Sequence, residues 1–402
     1  MKVDASAAGL DEQRLARIDD HLRRRYLDPR KIAGCQTVVA RGGHVGYFTS
    51  LGSMDLERGK PVVDDTIWRI YSMTKPITGV ALMTLYERGH FQLDDPVHRF
   101  IPELSDLKVR ERAADGTTTL VEPHRPMSVK DLLMHMSGLG FGSRRFDLSG
   151  EGGSPSFALP DITLEELVQQ LATRPLRFHP GTKWLYSTST DVCGRLVEII
   201  SGRPLDEYFR TEIFEPLGMR DTGFFVPDDK IDRFAALYRR DNNRELTLVD
   251  DPLTSSYRQR PKLLSGGGGL VSTTDDYLRF CQMMLNGGEL DGTRVLGRKT
   301  VELMTMNHLP GGGELATFAT GFGEVGFTGV GFGLTMAIGL GPTATATIGS
   351  AGDYSWGGAA STIFWVDPAE ELIVIFMVQF LLSGTYDFRN QLKALVYPAF
   401  AD

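Results

Sequence analysis

Ser72-Met73-Thr74-Lys75, with the apolar run Ile77-Thr78-Gly79-Val80-Ala81-Leu82-Met83 behind it, predicts a buried helix at the centre of this protein. Pro76 is tolerated in a first helical turn and Gly89 provides a stop. Residues three apart share one helix face, which brings the Ser72 hydroxyl and the Lys75 amine within a few ångströms of each other. The unpaired N–H groups and the dipole at a helix N-terminus also favour developing negative charge there. The stretch therefore predicts a serine nucleophile beside an amine that helps remove its proton.

The same four-residue pattern occurs again at Ser105-Asp106-Leu107-Lys108. This second match runs into the charged Arg110-Glu111-Arg112 and has no apolar helix behind it, so we expect it to be a solvated loop. For Ser72, the alternative is an ordinary helix N-cap followed by a chance lysine. The stretch alone leaves both interpretations open.

The composition narrows the class of protein. A chain of 402 residues suits one large enzyme unit or two to three domains, and a net charge of −8 without a basic block predicts no nucleic-acid partner. The three cysteines are far apart and no C-x-x-C or H-E-x-x-H spacing occurs, so we expect no disulfide framework, metal or cofactor. No apolar leader follows Met1, and the apolar run 372–378 is too short to span a bilayer. We expect a cytoplasmic protein that binds no membrane, while its oligomeric state stays open.

The order of the patterns along the chain predicts an α/β (α+β) fold with an inserted region. Residues 1–97 and 256–402 are expected to form an antiparallel sheet flanked by helices, and residues 98–255 a mostly helical insertion. The body is predicted from hairpins at 36–49 and 360–379 and from helices at 11–27, from about 274, and at 387–397. The insertion is predicted from short helical patterns between loops rich in glycine, proline and serine, at 129–134, 164–172, 190–200 and 204–213.

A lysine alone is a poor base, because its ordinary pKa of about 10.4 leaves it charged at neutral pH. Tyr186, in Tyr186-Ser187-Thr188, is the candidate proton partner, since a Pro-Gly turn and an aromatic run present it on a loop. Lowering the pKa of a tyrosine from about 10 to neutrality takes roughly 4 kcal/mol, most of which the charge of Lys75 is expected to supply. The alternative is a packed aromatic side chain whose hydroxyl is hydrogen-bonded.

A third candidate is Trp356-Gly357-Gly358, within Ser355–Ala360, which we expect to begin a strand. Acyl transfer requires two N–H donors directed at the developing oxyanion. A strand that begins with two glycines lets its backbone approach a substrate closely, because no side chain intervenes. The alternative is a glycine-rich turn beside a core tryptophan.

In this order and spacing, the three motifs resemble those of the serine β-lactamase and penicillin-recognising superfamily, nearest the family VIII carboxylesterases and the class C β-lactamases. Three further stretches support the resemblance: 132–139, 216–219 and 265–273. Together the matching stretches run from about residue 30 to residue 380. The resemblance implies a β-lactamase/transpeptidase-like fold.

The resemblance also implies a role for each matching residue. Ser72 would be the acylated nucleophile, Lys75 would ease its deprotonation, and Tyr186 would be the general base or a proton relay. The backbone N–H groups of Ser72 and Ala359 would form the oxyanion hole. His135 lies in a motif that is structural in the family, so we expect no catalytic role for it.

Two departures from the β-lactamase pattern bear on the substrate. Trp356-Gly357-Gly358 stands where β-lactamases carry Lys- or His-Thr-Gly, which helps hold the substrate carboxylate, and Thr188 stands where class C enzymes carry asparagine. We therefore expect Trp356, Gly357, Gly358 and Thr188 to line a pocket that favours uncharged esters. The resulting prediction is a serine hydrolase that cleaves short-chain carboxylic esters, a small-molecule substrate, through an acyl-enzyme on Ser72. A β-lactamase, a D-amino-acid peptidase, an acyltransferase and a non-catalytic binding protein on this scaffold stay open as alternatives.

Two other catalytic or binding motifs were considered and do not indicate a site. Gly321-Phe322-Gly323-Glu324-Val325-Gly326 matches G-x-G-x-x-G, but neither a strand before it nor a helix after it is evident, so we expect no dinucleotide site. The chain contains no G-x-S-x-G, the usual elbow of α/β-hydrolases. Phe141, Arg144 and Arg145 are expected to line the site from the insertion.

Overall fold

An eight-stranded antiparallel sheet forms the centre of the computed structural model, which describes residues 1–112, 115–140 and 160–401. Phe141, Arg144 and Arg145 lie outside these residues. The α-helices are α1 (Glu12–Leu22), α2 (Thr74–Glu87), α3 (Val129–Leu133), α4 (Leu164–Ala172), α5 (Ser189–Ser201), α6 (Leu205–Phe209), α7 (Glu215–Leu217), α8 (Thr274–Leu285), α9 (Arg298–Met304), α10 (Leu315–Phe318), α11 (Pro342–Thr345) and α12 (Phe388–Val396).

The strands fall into one large sheet and several short pairings. In chain order they are β1 (Gly34–Arg41), β2 (His44–Asp55), β3 (Lys60–Pro61), β4 (Trp68–Arg69), β5 (Val109–Arg112), β6 (Thr118–Val121), β7 (Leu237–Arg240), β8 (Leu246–Asp250), β9 (Val271–Ser272), β10 (Glu289–Leu290), β11 (Thr293–Arg294), β12 (Val330–Phe332), β13 (Ala337–Gly339), β14 (Tyr354–Gly357), β15 (Ile363–Asp367), β16 (Leu372–Val378) and β17 (Phe380–Leu381). The large sheet has the spatial order β12-β13-β14-β15-β16-β1-β2-β3.

β16 lies inside this sheet, between β1 and β15, and all of its residues are buried. Side chains alternate between the two faces of a strand. Ile373 and Ile375 therefore join the large apolar core that includes α2 and α8, whereas Val374 and Phe376 join a second core formed with α1 and α12. Helices thus cover both faces of the sheet, which explains the uninterrupted apolar run of β16.

The predicted helices and hairpins of the body are confirmed, with differences at α1 and at the end of β14. The two hairpins are present as β1–β2 and β15–β16, and α8 begins at Thr274 behind Thr273, whose side chain accepts a hydrogen bond from the N–H of Asp276. The predicted helix at 11–27 ends as an α-helix at Leu22 and continues as a wider π-helical turn over Arg23–Leu27.

The prediction that Ser355–Ala360 begins a strand is wrong. β14 ends at Gly357, and the chain reverses through a turn in which the N–H of Gly358 donates to the carbonyl oxygen of Thr362 at 2.8 Å. This turn passes so close to the segment before Ser72 that a Cβ atom on Gly358 would lie 2.5 Å from the carbonyl oxygen of Ile70. The glycine therefore serves a close approach between two backbones, at the end of one strand rather than the beginning of another.

The second match to the serine-lysine pattern is solvent-facing, as predicted for Ser105. It follows a short 3₁₀ turn, and the charged stretch beyond it is not a loop. Arg110, Glu111 and Arg112 instead belong to β5, which pairs with β6 in an exposed hairpin. Ser105 is thus followed by β5, where Ser72 is followed by the buried helix α2, so the two serines differ in their environment.

The described residues between 98 and 255 form α3 to α7 together with two hairpins, β5–β6 and β7–β8. α5 packs against α2, and β7 pairs in parallel with β17, so this region contacts the body through both helices and strands. The division of the chain near residues 98 and 255 stays a prediction. None of the helices in the described ranges has the length and apolar character needed to cross a bilayer.

Candidate active site

Ser72 lies in a 3₁₀ turn, Tyr71–Met73, directly before α2. No side chain caps α2, so the alternative in which Ser72 is an ordinary N-cap is wrong. The Nζ atom of Lys75 instead donates to Oγ of Ser72 at 3.2 Å, and the two residues are only 4 % and 6 % exposed. Tyr71 has a φ angle of +42°, a backbone conformation that is rare outside glycine and tends to concentrate at functional sites.

The amine of Lys75 is also held from its other side. Nζ donates to the carbonyl oxygen of Gly267 at 2.5 Å. The carboxylate of Asp191, in the first turn of α5, accepts hydrogen bonds from the N–H of Gly267 at 3.0 Å and from the hydroxyl of Ser265 at 2.6 Å. A Cβ atom on Gly266 would lie 2.8 Å from the carbonyl oxygen of Thr190, so this segment must be glycine-rich to fit against α5.

Tyr186 lies beside Lys75 and, together with Ser72, forms the candidate catalytic group. Nζ of Lys75 lies 4.4 Å from the centroid of the Tyr186 ring, over its face, where a cation is attracted by the ring. The rings of Trp184, His135 and Trp356 surround Tyr186 at centroid distances of 6.1, 5.0 and 5.5 Å. The structure thus brings together the three side chains that the sequence singled out for catalysis, although they are up to 114 residues apart in the chain (186 − 72).

The ionisation of the group differs from the sequence-based expectation. Burial lowers the pKa of Lys75 to about 8, although the charges of Asp191 and Glu324 act to raise it. Burial raises the pKa of Tyr186 well above its usual value near 10, and Glu324 raises it further, while side-chain hydrogen bonds with Ser72 and Trp356 act in the opposite direction. The prediction that Lys75 brings the Tyr186 hydroxyl toward neutrality is therefore wrong, because burial outweighs it. The group whose pKa approaches neutrality is the amine.

His135 is buried beside Tyr186, and burial and the charge of Lys75 hold its pKa well below its usual range. The ring is therefore neutral at pH 7. Its backbone carbonyl oxygen accepts a hydrogen bond from the N–H of Leu185 at 2.9 Å, which fixes the chain just before Tyr186. These contacts agree with the structural role implied by the family resemblance.

The candidate oxyanion donors are the backbone N–H groups of Ser72 and Ala359. Ala359 packs with Tyr71 in a small apolar cluster, which places the turn after β14 beside the turn that carries Ser72. Within the described part of the chain, neither the N–H of Ser72 nor that of Ala359 donates a hydrogen bond. Such free donors suit an oxyanion hole.

The four residues expected to line the substrate pocket, Trp356, Gly357, Gly358 and Thr188, are buried. The Trp356 side chain is 0 % exposed and packs against Tyr186 and Phe332, so it supports Tyr186 from behind and forms no open wall. The Thr188 hydroxyl donates to the carbonyl oxygen of Gly140 at 2.9 Å. Gly357 and Gly358 are buried in β14 and in the turn that follows.

The sequence analysis missed the roles of Asp191 and Glu324. Asp191 could have been noticed as an acidic residue in the first turn of the helix that follows Tyr186-Ser187-Thr188. Glu324 was noticed only as part of a glycine-rich motif. That motif lies in an irregular loop with no strand before it and no helix after it, as predicted, and the ring of Phe322 meets Tyr186 edge-on at 6.3 Å.

One group of metal-ligating side chains occurs in the described ranges, formed by Glu111, His124 and His179, whose ligand atoms lie within 4.8 Å of one another. Nδ1 of His179 accepts a hydrogen bond from the backbone N–H of His124 at 3.2 Å, and its Nε2 lies 2.7 Å from Oε1 of Glu111. A neutral imidazole has a single lone pair, so His179 has none left for a metal ion. We assign no metal site to these residues.

Comparisons with known proteins show the family and the fold of the chain. A sequence model of the beta-lactamase family matches residues 20–397. Protein Rv1367c of Mycobacterium tuberculosis is 35 % identical over 364 residues, which cover 89 % of this chain and 88 % of that protein. Esterase EstB of Burkholderia gladioli is 32 % identical over 404 residues, covering 95 % of each chain. The solved structure of EstCE1, described as a hydrolase with promiscuous acyltransferase activity, has a TM-score of 0.77 at 27 % identity and covers 96 % of this chain and 99 % of its own.

The similarity to EstCE1 extends over nearly the whole chain, which confirms the predicted antiparallel α/β fold. The family match likewise spans the turn of Ser72, the loop of Tyr186 and the turn of Ala359. By fold and by sequence, the chain belongs to the beta-lactamase family.

Proposed function

We propose that the protein is a carboxylesterase that cleaves small, uncharged esters through an acyl-enzyme on Ser72. The observation that carries the proposal is the Lys75 amine, which lies 3.2 Å from the Ser72 hydroxyl and has a pKa lowered to about 8. The similarity to esterase EstB supports an ester substrate. The absence of a lysine or histidine at Trp356, where β-lactamases hold a carboxylate, supports an uncharged one.

In the proposed acylation step, neutral Lys75 takes the proton of Ser72 while Oγ attacks the ester carbonyl carbon. At pH 7, an amine with a pKa of about 8 is neutral in about one molecule in ten, several hundred times more often than an ordinary lysine. The N–H groups of Ser72 and Ala359 stabilise the oxyanion, and each such donor is typically worth about 3 kcal/mol.

Tyr186 is proposed as the group that passes a proton to the leaving alcohol. Its raised pKa keeps it protonated at neutral pH, and the Ser72 side chain lies close enough to act on that pKa. Once the Tyr186 hydroxyl has given its proton to the alcohol, it receives the proton that the neighbouring Lys75 amine took from Ser72. In deacylation the proton moves in the opposite direction, from an attacking water molecule through Tyr186 and Lys75 back to Ser72.

Acyl transfer to a second alcohol is the other candidate activity, because it uses the same acyl-enzyme. The similarity to EstCE1, whose description includes promiscuous acyltransferase activity, favours it. The low exposure of Ser72, 6 %, also limits the access of bulk water to the acyl group. We further propose a cytoplasmic location, which the three buried free thiols of Cys35, Cys193 and Cys281 support.

Mass spectrometry after brief incubation with p-nitrophenyl butyrate tests the proposal directly. We expect an acyl adduct on Ser72 and loss of hydrolysis in Ser72→Ala. Ser105→Ala is the matched control, because Ser105 is the exposed serine of the second serine-lysine pattern, and it should keep full activity. Full activity in Ser72→Ala would overturn the proposal, and faster turnover of a cephalosporin than of the ester would favour the β-lactamase alternative.

A further inference from the structure

Gln379 is a buried glutamine directly after β16, and its side-chain amide is fully used in hydrogen bonding. Its Oε1 atom accepts from the backbone N–H and from Nη1 of Arg69, each at 3.3 Å. Its Nε2 atom donates to the carbonyl oxygens of Arg69 at 3.0 Å and of Val378 at 2.9 Å. A carboxamide offers two acceptor sites and two N–H donors, so these four bonds fix its position.

The Gln379 amide takes the place of a neighbouring strand beside β4. On its other side β4 pairs with β9, where the N–H of Ile70 donates to the carbonyl oxygen of Leu270 at 3.1 Å. Along a paired strand, the backbone groups of successive residues point to opposite sides. Those of Arg69 point away from β9, and Gln379 binds both of them. Since Arg69 is three residues before Ser72, Gln379 holds the segment that leads into the nucleophile turn.

The chain that follows Gln379 holds the turn after β14, which carries Ala359. The N–H of Phe380 donates to the carbonyl oxygen of Ala360 at 3.0 Å. The carbonyl oxygen of Phe380 accepts from Oγ of Ser361 at 2.9 Å. One short stretch of chain thus holds the nucleophile segment through a side chain and the oxyanion turn through its backbone.

Both turns contain backbone conformations that need such support. Tyr71, next to Ser72, has a φ angle of +42°, and Ser361, two residues after Ala359, has a φ angle of +67°. Left-handed conformations outside glycine cost free energy and persist only where the surrounding structure holds them. Release of either turn would let its backbone relax and would move an oxyanion donor.

The close contact between the two turns sets only how near they can approach. A Cβ atom on Gly358 would lie 2.5 Å from the carbonyl oxygen of Ile70, so the two backbones already touch there. Such a contact resists approach strongly and separation only weakly, because the attraction between two non-bonded atoms is small. The hydrogen bonds of Gln379 and Phe380 resist separation, since they connect both turns to one continuous segment.

We propose that Gln379 is a positioning residue that sets the distance between the two oxyanion donors, the N–H groups of Ser72 and Ala359. The inference rests on the proposed function, since acyl transfer is what places an oxyanion between these donors. Gln379 acts on the reaction through Arg69 on one side and Phe380 on the other. Its effect falls on the tetrahedral state, where charge develops, rather than on binding of the ester.

n-Propylboronic acid measures the oxyanion hole directly. Oγ of Ser72 adds to its boron atom and gives up its proton, which leaves a tetrahedral anion with the carbon chain of a butyryl group. In Gln379→Leu, we expect the inhibition constant of the boronate to rise by about ten- to a hundredfold. The kcat for p-nitrophenyl butyrate should fall by a similar factor, with KM changed by less than about threefold. A smaller folded fraction lowers the apparent kcat but not the affinity of the folded molecules for the boronate, so a merely structural role gives a different result.

Gln36→Leu is the matched control. Gln36 is a buried glutamine on β1 whose Nε2 atom donates to Oγ of Ser50 and to the carbonyl oxygen of Val63. Its Oε1 atom accepts from Nε1 of Trp68 and from Oγ1 of Thr274. The variant therefore loses as many buried hydrogen bonds, but its contact with the segment before Ser72 ends on an indole side chain. The boronate inhibition constant should stay within about threefold of that of the unmodified protein.

Gln379→Asn decides the question if the leucine variant does not fold. It keeps the amide but is one methylene shorter, so it cannot reach both backbone groups of Arg69, and the inhibition constant should rise by about three- to tenfold. An unchanged constant in a folded Gln379 variant, an equal rise in Gln36→Leu, or an unmodified protein that hydrolyses the ester without binding the boronate would overturn the inference while leaving the esterase proposal intact. An unmodified protein that neither hydrolyses p-nitrophenyl butyrate nor binds the boronate would overturn both.

Discussion

The N–H of Gly267 donates to the carboxylate of Asp191 at 3.0 Å, while the carbonyl oxygen of Gly267 accepts from Nζ of Lys75 at 2.5 Å. One peptide segment therefore connects a buried carboxylate on α5 to the amine beside Ser72. Asp191 does not touch Ser72, so its effect on the reaction passes through the position and the charge of Lys75. This relationship makes Asp191 a positioning residue with two separable effects.

Asp191→Asn should lower kcat for ester hydrolysis by about ten- to a hundredfold, because the segment that holds the amine loses its anchor. The charge of Asp191 raises the pKa of Lys75, so its removal should also shift the acidic limb of the pH–rate profile to lower pH. A purely structural role would lower the rate without that shift. Asp275→Asn, an exposed aspartate in the first turn of α8, is the matched control and should change neither quantity.

The pH dependence of the unmodified protein should follow the amine. Since acylation requires neutral Lys75, kcat/KM should rise with pH and reach half of its maximum near pH 8. The raised pKa of Tyr186 predicts no descending limb below about pH 10. Initial rates with p-nitrophenyl butyrate, corrected for spontaneous hydrolysis, measure this profile. A half-maximum near pH 6 would instead assign the reaction to another base.

Some parts of this site could be predicted from the sequence and others could not. The Ser72–Lys75 contact is local, because residues three apart meet in any helical turn, and it could be predicted from four residues. Tyr186 was only a candidate from its own segment, where a packed aromatic side chain stayed an alternative, and the family resemblance was needed to favour a catalytic role. Its ionisation could not be predicted, because burial by surrounding aromatic rings decides it, and a sequence does not show burial at a single loop position.

The effect of Glu324 on Lys75 and the end of β14 at Gly357 could not be predicted from the sequence, because both depend on contacts between distant parts of the chain. Glu324 acts on Lys75 across 249 positions of the chain (324 − 75), through packing that no local pattern encodes. The glycines of 356–358 suit both the beginning and the end of a strand, and only the approach to Ile70 decides between them. The sheet was easier to predict, since runs of apolar, β-branched and aromatic residues and the tight turns between them mark β1, β2, β15 and β16 directly.

Gly358→Ala should damage the oxyanion hole. The added Cβ atom would lie 2.5 Å from the carbonyl oxygen of Ile70 and 2.4 Å from Oγ1 of Thr362, so the turn must move and displace the N–H of Ala359. We expect kcat to fall by about 10²–10³, the usual effect of losing one oxyanion donor, with a smaller change in KM. Gly223→Ala is the control, because its nearest neighbour is a carbonyl oxygen 3.8 Å away. Equal kinetics for both variants would place the second donor elsewhere.

Tyr186→Phe distinguishes the two roles considered for this residue. With ethyl butyrate, loss of the hydroxyl should slow the chemical step by about 10²–10⁴ in either role. If Lys75 is the base and Tyr186 protonates the leaving alcohol, the loss should be much smaller for p-nitrophenyl butyrate, whose leaving group needs no proton, than for ethyl butyrate. If Tyr186 takes the proton of Ser72, both esters should lose the same factor, because deprotonation of the serine precedes either departure. Single-turnover rates of acylation for the two esters separate these outcomes, and the raised pKa of Tyr186 predicts the unequal one.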